Sequence, residues 1–310
     1  MAEEEDDEPI YIEFLEYIKA QKHLKPLSIR TYKGQYYTLR KYLDNFKDLD
    51  EKFLIDFIVE LEKNGDPLEN KQVSINTIIN YITIIVQVRH FHSPDFHNNE
   101  ELVKLREKYK GIKLRQKNLK NQTKLEGLPS KEQLVHHMNQ AFAEGQWRDY
   151  ILLYLIINYH TRNQDLDVAF VSTIKQARNE AYNYLVIKPS HINFIRFKYK
   201  TKDKYGRKTF SIKNQKFREA VDNYLDENGG FMKDTDMIWL MSVGSNKKIS
   251  GDSVAKWIRA RTLDGISTND YNKIIISDAI DRKDMTLIDE ISERRGSSVP
   301  TLLSEYDLKI

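Results

Sequence analysis

The sequence predicts a mainly α-helical protein with one small β-sheet, an α+β architecture divided between two compact units. Three observations carry that expectation. The chain has 310 residues, and a single hydrophobic core stops growing at ~250–300. From Ile10 to about His97, and again beyond residue 128, apolar side chains step by three and four, the spacing that lines one face of a helix. Between residues 183 and 212 the pattern changes to three short runs, "NYLVIK", "INFIRFKYK" and "RKTFSI", rich in β-branched and aromatic residues.

Composition narrows the class further. Hydrophobic residues at 40% and charged residues at 31% suit a soluble helical protein and exclude disorder for most of the chain. The absence of cysteine excludes disulfides, thiolate chemistry and cysteine-based zinc sites, and fits an intracellular protein. The longest apolar run, "DYILLYLIINYH", is far short of the ~20 residues a membrane span needs, and no signal-peptide core opens the chain, so no membrane partner is expected. Net charge is +3, but residues 1–9 hold six carboxylates, and the remainder carries +9. That acidic tail is read as disordered solubilising sequence or as an arm that mimics the charge of DNA.

Residues 10–112 are expected to form one helical domain. In "LSIRTYKGQYYTLRKYLDNF" the positions Ile29, Tyr32, Tyr36, Leu39, Leu43 and Phe46 make an apolar stripe, and comparable stripes run through "IYIEFLEYIKAQ", "DEKFLIDFIVELEKNG" and "SINTIINYITIIVQVRHF". Arg30, Lys33, Arg40 and Lys41 occupy the outer face of the second helix, as a solvated face or as DNA contacts. Apolar periodicity then fades over a basic stretch, and an interdomain linker is expected at 113–127, with Lys117 and Lys120 available to phosphates. Ser130 caps the helix that restarts the fold.

Residues 128–310 should be mostly helical around the small sheet. "RDYILLYLIINYHT" is apolar on every side and reads as a central buried helix. Arg162 and Asp165 follow it, and an arginine leaving a buried helix requires a carboxylate or an anionic ligand. The second and third β-runs form a hairpin through "TKDKYG". Alternation sets Arg196, Lys198, Lys200 and Lys202 on one side and Ile195, Phe197 and Tyr199 on the other, with Lys204, Arg207 and Lys208 adding charge. Such a ribbon could lie along a nucleic-acid groove, or be an edge kept soluble by lysines. "SGDSVAKWIRART" reads as a capped helix bearing Lys256 and Arg259. The histidines His90, His92 and His97, and the pair His136 and His137, lack the spacing of a ligand set, so no metal is expected.

These residues together resemble the tyrosine recombinases, or phage-type integrases, over nearly the whole chain. "SIRTYKGQYY" and "SINTIINYITIIVQVRHF" are similar to the SAM-like core-binding domain of that family. "LLYLIINYHTRNQDL" resembles its first catalytic box, "FKYKTKDKYGRKTFSI" its lysine-bearing hairpin, and "RRGSSVPTLLSEY" its closing box. The resemblance implies a core-binding domain followed by a catalytic domain. It implies Arg162 as the first catalytic arginine with Asp165 as companion, Lys200 as the catalytic lysine with Lys202 second, and Tyr306 as the nucleophile. One box departs: where the family has His-x-x-Arg, spacing sets Asp270 and Lys273, and Ser297 stands near a position usually held by histidine or tryptophan.

The implied activity is cleavage and rejoining of double-stranded DNA through a 3′-phosphotyrosine, by a two-domain clamp that self-associates, as a tetramer, on DNA and requires no cofactor. The implied location is inside the cell, with DNA. Two other readings stay open. One is a recombinase-fold DNA-binding protein that has lost cleavage, and the other is a topoisomerase using the same tyrosine chemistry.

Overall fold

The computed structural model describes residues 9–22, 26–43, 47–67, 71–92, 99–125, 127–231, 237–243, 246–249 and 253–306. Its contacts divide the chain into two compact units, Met1–Lys120 and Asn121–Ile310. The acidic tail lies outside the described residues, apart from Pro9, which opens the first helix.

The first unit contains α1 (Pro9–Lys22), α2 (Pro26–Tyr42), α3 (Glu51–Asn64), α4 (Ile75–His92) and α5 (Glu100–Leu125) up to Lys120. Asp50 starts α3 by accepting the backbone N–H of Lys52 at 3.0 Å, and Gly65 ends it with φ 79°. The stripe on α2 delivers Tyr36, Leu39 and Leu43 to a core shared with Leu54 and Ile58 of α3 and Ile78, Ile82 and Ile85 of α4. Tyr109 of α5 closes this core, its hydroxyl donating to Glu62 at 2.6 Å. The division between the units falls within the stretch expected as a linker, and residues 113–125 of that stretch are helical as the end of α5. That stretch has no glycine or proline after Gly111 and consists mostly of Lys, Leu, Arg and Gln, which favour helix without any apolar stripe.

The second unit surrounds a five-stranded sheet of order β4-β3-β2-β1-β5. Its strands are β1 (Val168–Val171), β2 (Asn183–Ile187), β3 (Ile192–Arg196), β4 (Lys208–Ile212) and β5 (Ile238–Trp239). β1 and β2 run parallel, and the remaining pairs are antiparallel. A separate two-stranded ribbon joins β6 (Ser242–Val243) to β7 (Lys247–Lys248). Helices α6 (Lys131–Ala143), α7 (Trp147–Tyr159), α9 (Gln215–Glu227), α10 (Ser253–Arg259), α11 (Thr268–Asp281), α12 (Met285–Arg295) and α13 (Val299–Tyr306) complete the unit, with a single turn, α8 (Lys202–Tyr205), between β3 and β4. Ser130 accepts the N–H of Gln133 at 3.2 Å and starts α6 with a capping box.

Helix α7 is the axis of this unit, with Ile151, Leu152, Leu153, Leu155 and Ile156 fully buried. Both faces of the sheet are covered. Phe170, Leu185, Phe194 and Ile212 join the core of α7 and α9, while Ala169, Tyr184, Ile195 and Phe197 form a second cluster on the other side.

That double coverage corrects the hairpin expectation. Arg196 shares parity with Ile192 and Phe194 and is fully buried, so it does not belong to an exposed cationic face. β3 ends at Arg196 and the chain coils into α8, which also ends the alternation before Lys202. No helix among the described residues is long and apolar enough to cross a membrane.

Candidate functional site

The site grows from the end of α7. His160 takes a left-handed backbone, φ 52° and ψ 39°, which stops the helix and turns the chain toward Arg162. The Arg162 N–H then donates to Asp165 Oδ2 at 2.9 Å, closing a single 3₁₀ turn over Asn163–Leu166. The same carboxylate oxygen accepts Arg196 Nη2 at 2.7 Å, and both of those side chains are fully buried. Burial pulls the Arg196 guanidinium below its ordinary pKa, and the Asp165 charge opposes that pull.

A second piece comes from the end of α12. Gly296 leaves the helix at φ 66°, and a Cβ there would stand 2.8 Å from Thr201 Oγ1 and 2.9 Å from Tyr199 Cε2. Glycine therefore permits both the turn and the close approach of the β3–β4 connection. Thr201 Oγ1 donates to the Gly296 carbonyl at 2.6 Å. Arg162 reaches the same place from the other side, its Nη2 donating to Ser297 Oγ at 3.3 Å and its Nη1 to the Arg295 carbonyl at 3.5 Å. Both contacts are long for a guanidinium. Arg162 is half-buried, so its fork can exchange them for the oxygens of a tetrahedral anion.

Helix α11 supports this stretch from beneath. Thr268 Oγ1 donates to Asn163 Oδ1 at 2.8 Å, and Asn272 Nδ2 donates to the Thr161 carbonyl at 3.2 Å. Lys273 is half-buried beside Asn272. Asp270 is buried at the start of the helix, where its carboxylate accepts the Ser267 N–H at 3.3 Å in a capping box and also Ser267 Oγ at 2.8 Å. That engagement makes Asp270 a cap in this conformation. Ser297 is buried and touches Arg162.

The remaining candidates distribute as follows. Lys200 is exposed on the turn next to Thr201. Lys202 pairs with Glu180, and Lys198 pairs with Asp167 at 2.7 Å, a carboxylate that also accepts Lys248 at 2.8 Å. Lys204 sits over the Tyr205 ring, 5.2 Å from its centroid. Lys256 and Arg259 are exposed on α10. On α2, Arg30 and Lys41 are exposed, Arg40 is half-buried, and Lys33 lies 5.7 Å from the Tyr37 centroid. Lys117 and Lys120 fall on α5, with side chains outside the described residues. Tyr306 is the last residue of α13, and its side chain is likewise outside them.

The structure thus joins Arg162, Asp165 and Ser297 directly, and brings the Lys200 turn to them through Thr201 and Gly296. Sequence reasoning missed Arg196, Lys208 and Arg295. Lys208 Nζ donates to the Glu293 carbonyl, and its pKa is lowered by burial and then by Arg196. Arg295 is fully buried and donates to the His160 carbonyl at 3.2 Å. The one available signal was parity: Ile192 and Phe194 are core residues, and Arg196 continues their face. His160 itself is buried, with neither ring nitrogen hydrogen-bonded among the described residues. Burial, then the neighbouring Arg295, Arg294 and Arg196 charges, push its pKa down to about 3.

No group of three His, Asp or Glu side chains suited to a metal occurs among the described residues. No protein-family model matches the chain, and no curated protein sequence matches it. Among solved structures it is similar to one described as the crystal structure of XerA recombinase, at 13% identity and a TM-score of 0.37, over 96% of this chain and 93% of that one.

Proposed function

We propose that this chain cleaves and rejoins double-stranded DNA as a tyrosine recombinase. The observation that carries the reading is the convergence at Gly296. The half-buried Arg162 fork, the Thr201 turn bearing Lys200, and Ser297 at the root of α13 meet there through 3.5 Å or shorter contacts. Tyr306 ends that same α13, ten residues beyond Gly296, in the "RRGSSVPTLLSEY" spacing.

In the proposed reaction, Tyr306 oxygen attacks the phosphorus of a DNA phosphodiester. The bond to the 5′-oxygen breaks, leaving a 3′-phosphotyrosine and a 5′-hydroxyl, and a second 5′-hydroxyl reverses the step. A phenol has an ordinary pKa near ~10, so its proton must leave as the bond forms. Arg162 and Lys273 stabilise charge developing on the nonbridging oxygens. Lys200 protonates the departing 5′-oxygen, with Lys202 as the second choice, and Ser297 donates to a phosphate oxygen. Arg30, Lys33, Arg40, Lys41, Lys117, Lys120, Lys198, Lys204, Lys256 and Arg259 contact phosphates, and both units hold one duplex. Self-association on DNA, as a tetramer, supplies the partner strands inside the cell.

A second reading is favoured by two specific features. Lys273 offers a point charge where the family has a fork, and Asp270 is engaged as a cap rather than as a base. Both suit a DNA-binding protein that no longer cleaves.

Incubation with nicked suicide duplexes and denaturing electrophoresis separates the two. The first reading requires a covalent protein–DNA adduct that Tyr306→Phe abolishes. No adduct on any duplex, combined with steeply salt-dependent binding, selects the second.

A further inference from the structure

We infer that Arg196 is a positioning residue that fixes Arg162 and locks the β3–β4 connection to the end of α12, an inference that rests on the strand-transfer reading above. The starting point is the accounting of carbonyls at the end of α12. A helix leaves its last carbonyls without intrahelical donors, and its dipole is negative there. In this protein four successive carbonyls each accept a donor from elsewhere in the fold. Glu293 accepts Lys208 Nζ, Arg294 accepts Arg196 Nη1, Arg295 accepts Arg162 Nη1, and Gly296 accepts Thr201 Oγ1. The arrangement is reciprocal. Arg294 and Arg295 donate to the Asn158 and His160 carbonyls at 2.9 and 3.2 Å, which binds the end of α12 to the end of α7.

Arg196 touches three parts of this junction. Its Nη2 holds Asp165 Oδ2, the same atom that fixes the Arg162 backbone, and its Nη1 holds α12. Its guanidinium also lies 4.9 Å from the Tyr199 ring centroid, on the turn that carries Lys200. A buried ion pair is a weak source of stability, because well-packed apolar residues often replace one at no net cost. A planar fork that addresses two targets at fixed angles supplies something an apolar residue does not, the relative placement of those targets. Arg162, the Lys200 turn and the root of α13 are thereby set against one another by a side chain that solvent and substrate never reach.

Arg196→Lys tests this, because it keeps a charge for Asp165 but cannot serve both targets. Two readouts are taken on the full chain. The rate of adduct formation on a nicked suicide duplex should fall roughly 10- to 100-fold, as expected of misplacement by about 1 Å, with duplex Kd changed less than about twofold. Independently of activity, the Arg162 Nε–H resonance, identified by its loss in Arg162→Lys, should exchange faster with water in Arg196→Lys. If Arg196→Lys does not fold, the neutral pair Arg196→Met with Asp165→Asn takes its place. That pair removes both charges while the amide oxygen can still accept the Arg162 N–H. An unchanged Arg162 resonance overturns the inference whatever the rate does, and so does an unchanged rate in the variant when the wild type forms adduct. A wild type without adduct but with a loosened Arg162 in the variant defeats the strand-transfer reading and leaves the positioning role standing.

Discussion

Between residues 196 and 208 the chain carries seven cations, and two of them live under different physics from the other five. Arg196 is fully buried and Lys208 half-buried, and both donate to backbone carbonyls of α12. Lys198, Lys200, Lys202, Lys204 and Arg207 remain in contact with solvent, paired with carboxylates such as Asp167 and Glu180 or set over rings such as Tyr205 and Phe197. Arg196 has lost its water, and Lys208 part of it, so each must be matched by fixed partners and holds geometry. An outer cation keeps its water, is screened by salt, and can exchange a side-chain partner for a phosphate with little change in energy. One short stretch therefore combines a fastening with a solvated charged surface, and the division follows burial rather than residue type.

The largest effect should come from breaking the inner set. Asp165→Ala would strand the Arg196 guanidinium where both partners are 0% exposed, and also release the Arg162 N–H. The expected loss is about 3–5 kcal/mol, the scale for removing one partner of a buried pair, read as a fall in the urea midpoint. A loss under ~1 kcal/mol would mean that water reaches Arg196, and the distinction between inner and outer cations would collapse.

Which side of that distinction a residue takes was only partly legible in the sequence. The helix α7 was plain, because "RDYILLYLIINYH" has no polar face, but Asp165, read as the partner of the Arg162 guanidinium, accepts the Arg162 backbone N–H and forms its ion pair with Arg196. Arg196 was read as surface because its neighbours in the chain, Lys198 and Lys200, are surface. Local alternation assigns a residue to a face but cannot tell which face is buried, and a sheet covered on both sides defeats the rule. The carbonyls of Glu293, Arg294, Arg295 and Gly296 were invisible for another reason. Backbone acceptors carry no residue signature, so nothing in "SERRGSS" announces that donors 85 to 133 residues earlier will meet them. Helix α5 escaped notice because helix-favouring residues without an apolar stripe look like a linker.

A middle-sized effect concerns the field the inner cations create. His160 is buried with its pKa near about 3, below the ordinary 6.5, because burial and the Arg295, Arg294 and Arg196 charges oppose a proton there. The unfolded chain binds that proton as pH falls from 6.5 toward 3 and the folded chain does not. Folding stability is then fully present above pH 6.5 and declines through that window. His160→Asn, which tolerates the left-handed backbone, should flatten the decline between pH 7 and pH 4.5 in urea unfolding. An identical slope in the variant would locate the acid sensitivity in other groups and weaken the case for an arginine field at this point.

The smallest effect on the fold should come from the outer set, and it is the sharpest test of what that set is for. Lys204→Ala removes an exposed side chain whose described contact is a ring at 5.2 Å, so stability should change by less than about 0.5 kcal/mol. Duplex affinity should nonetheless weaken at low salt, and the slope of log K against log salt should become shallower by about one, the signature of one lost phosphate contact. Arg196→Lys should leave that slope where it was, since a buried cation releases no counterions. Measuring both slopes on the same duplex separates charge that meets DNA from charge that holds the protein. If the Lys204 and Arg196 substitutions shifted the slope equally, burial would have no bearing on which cations reach phosphate.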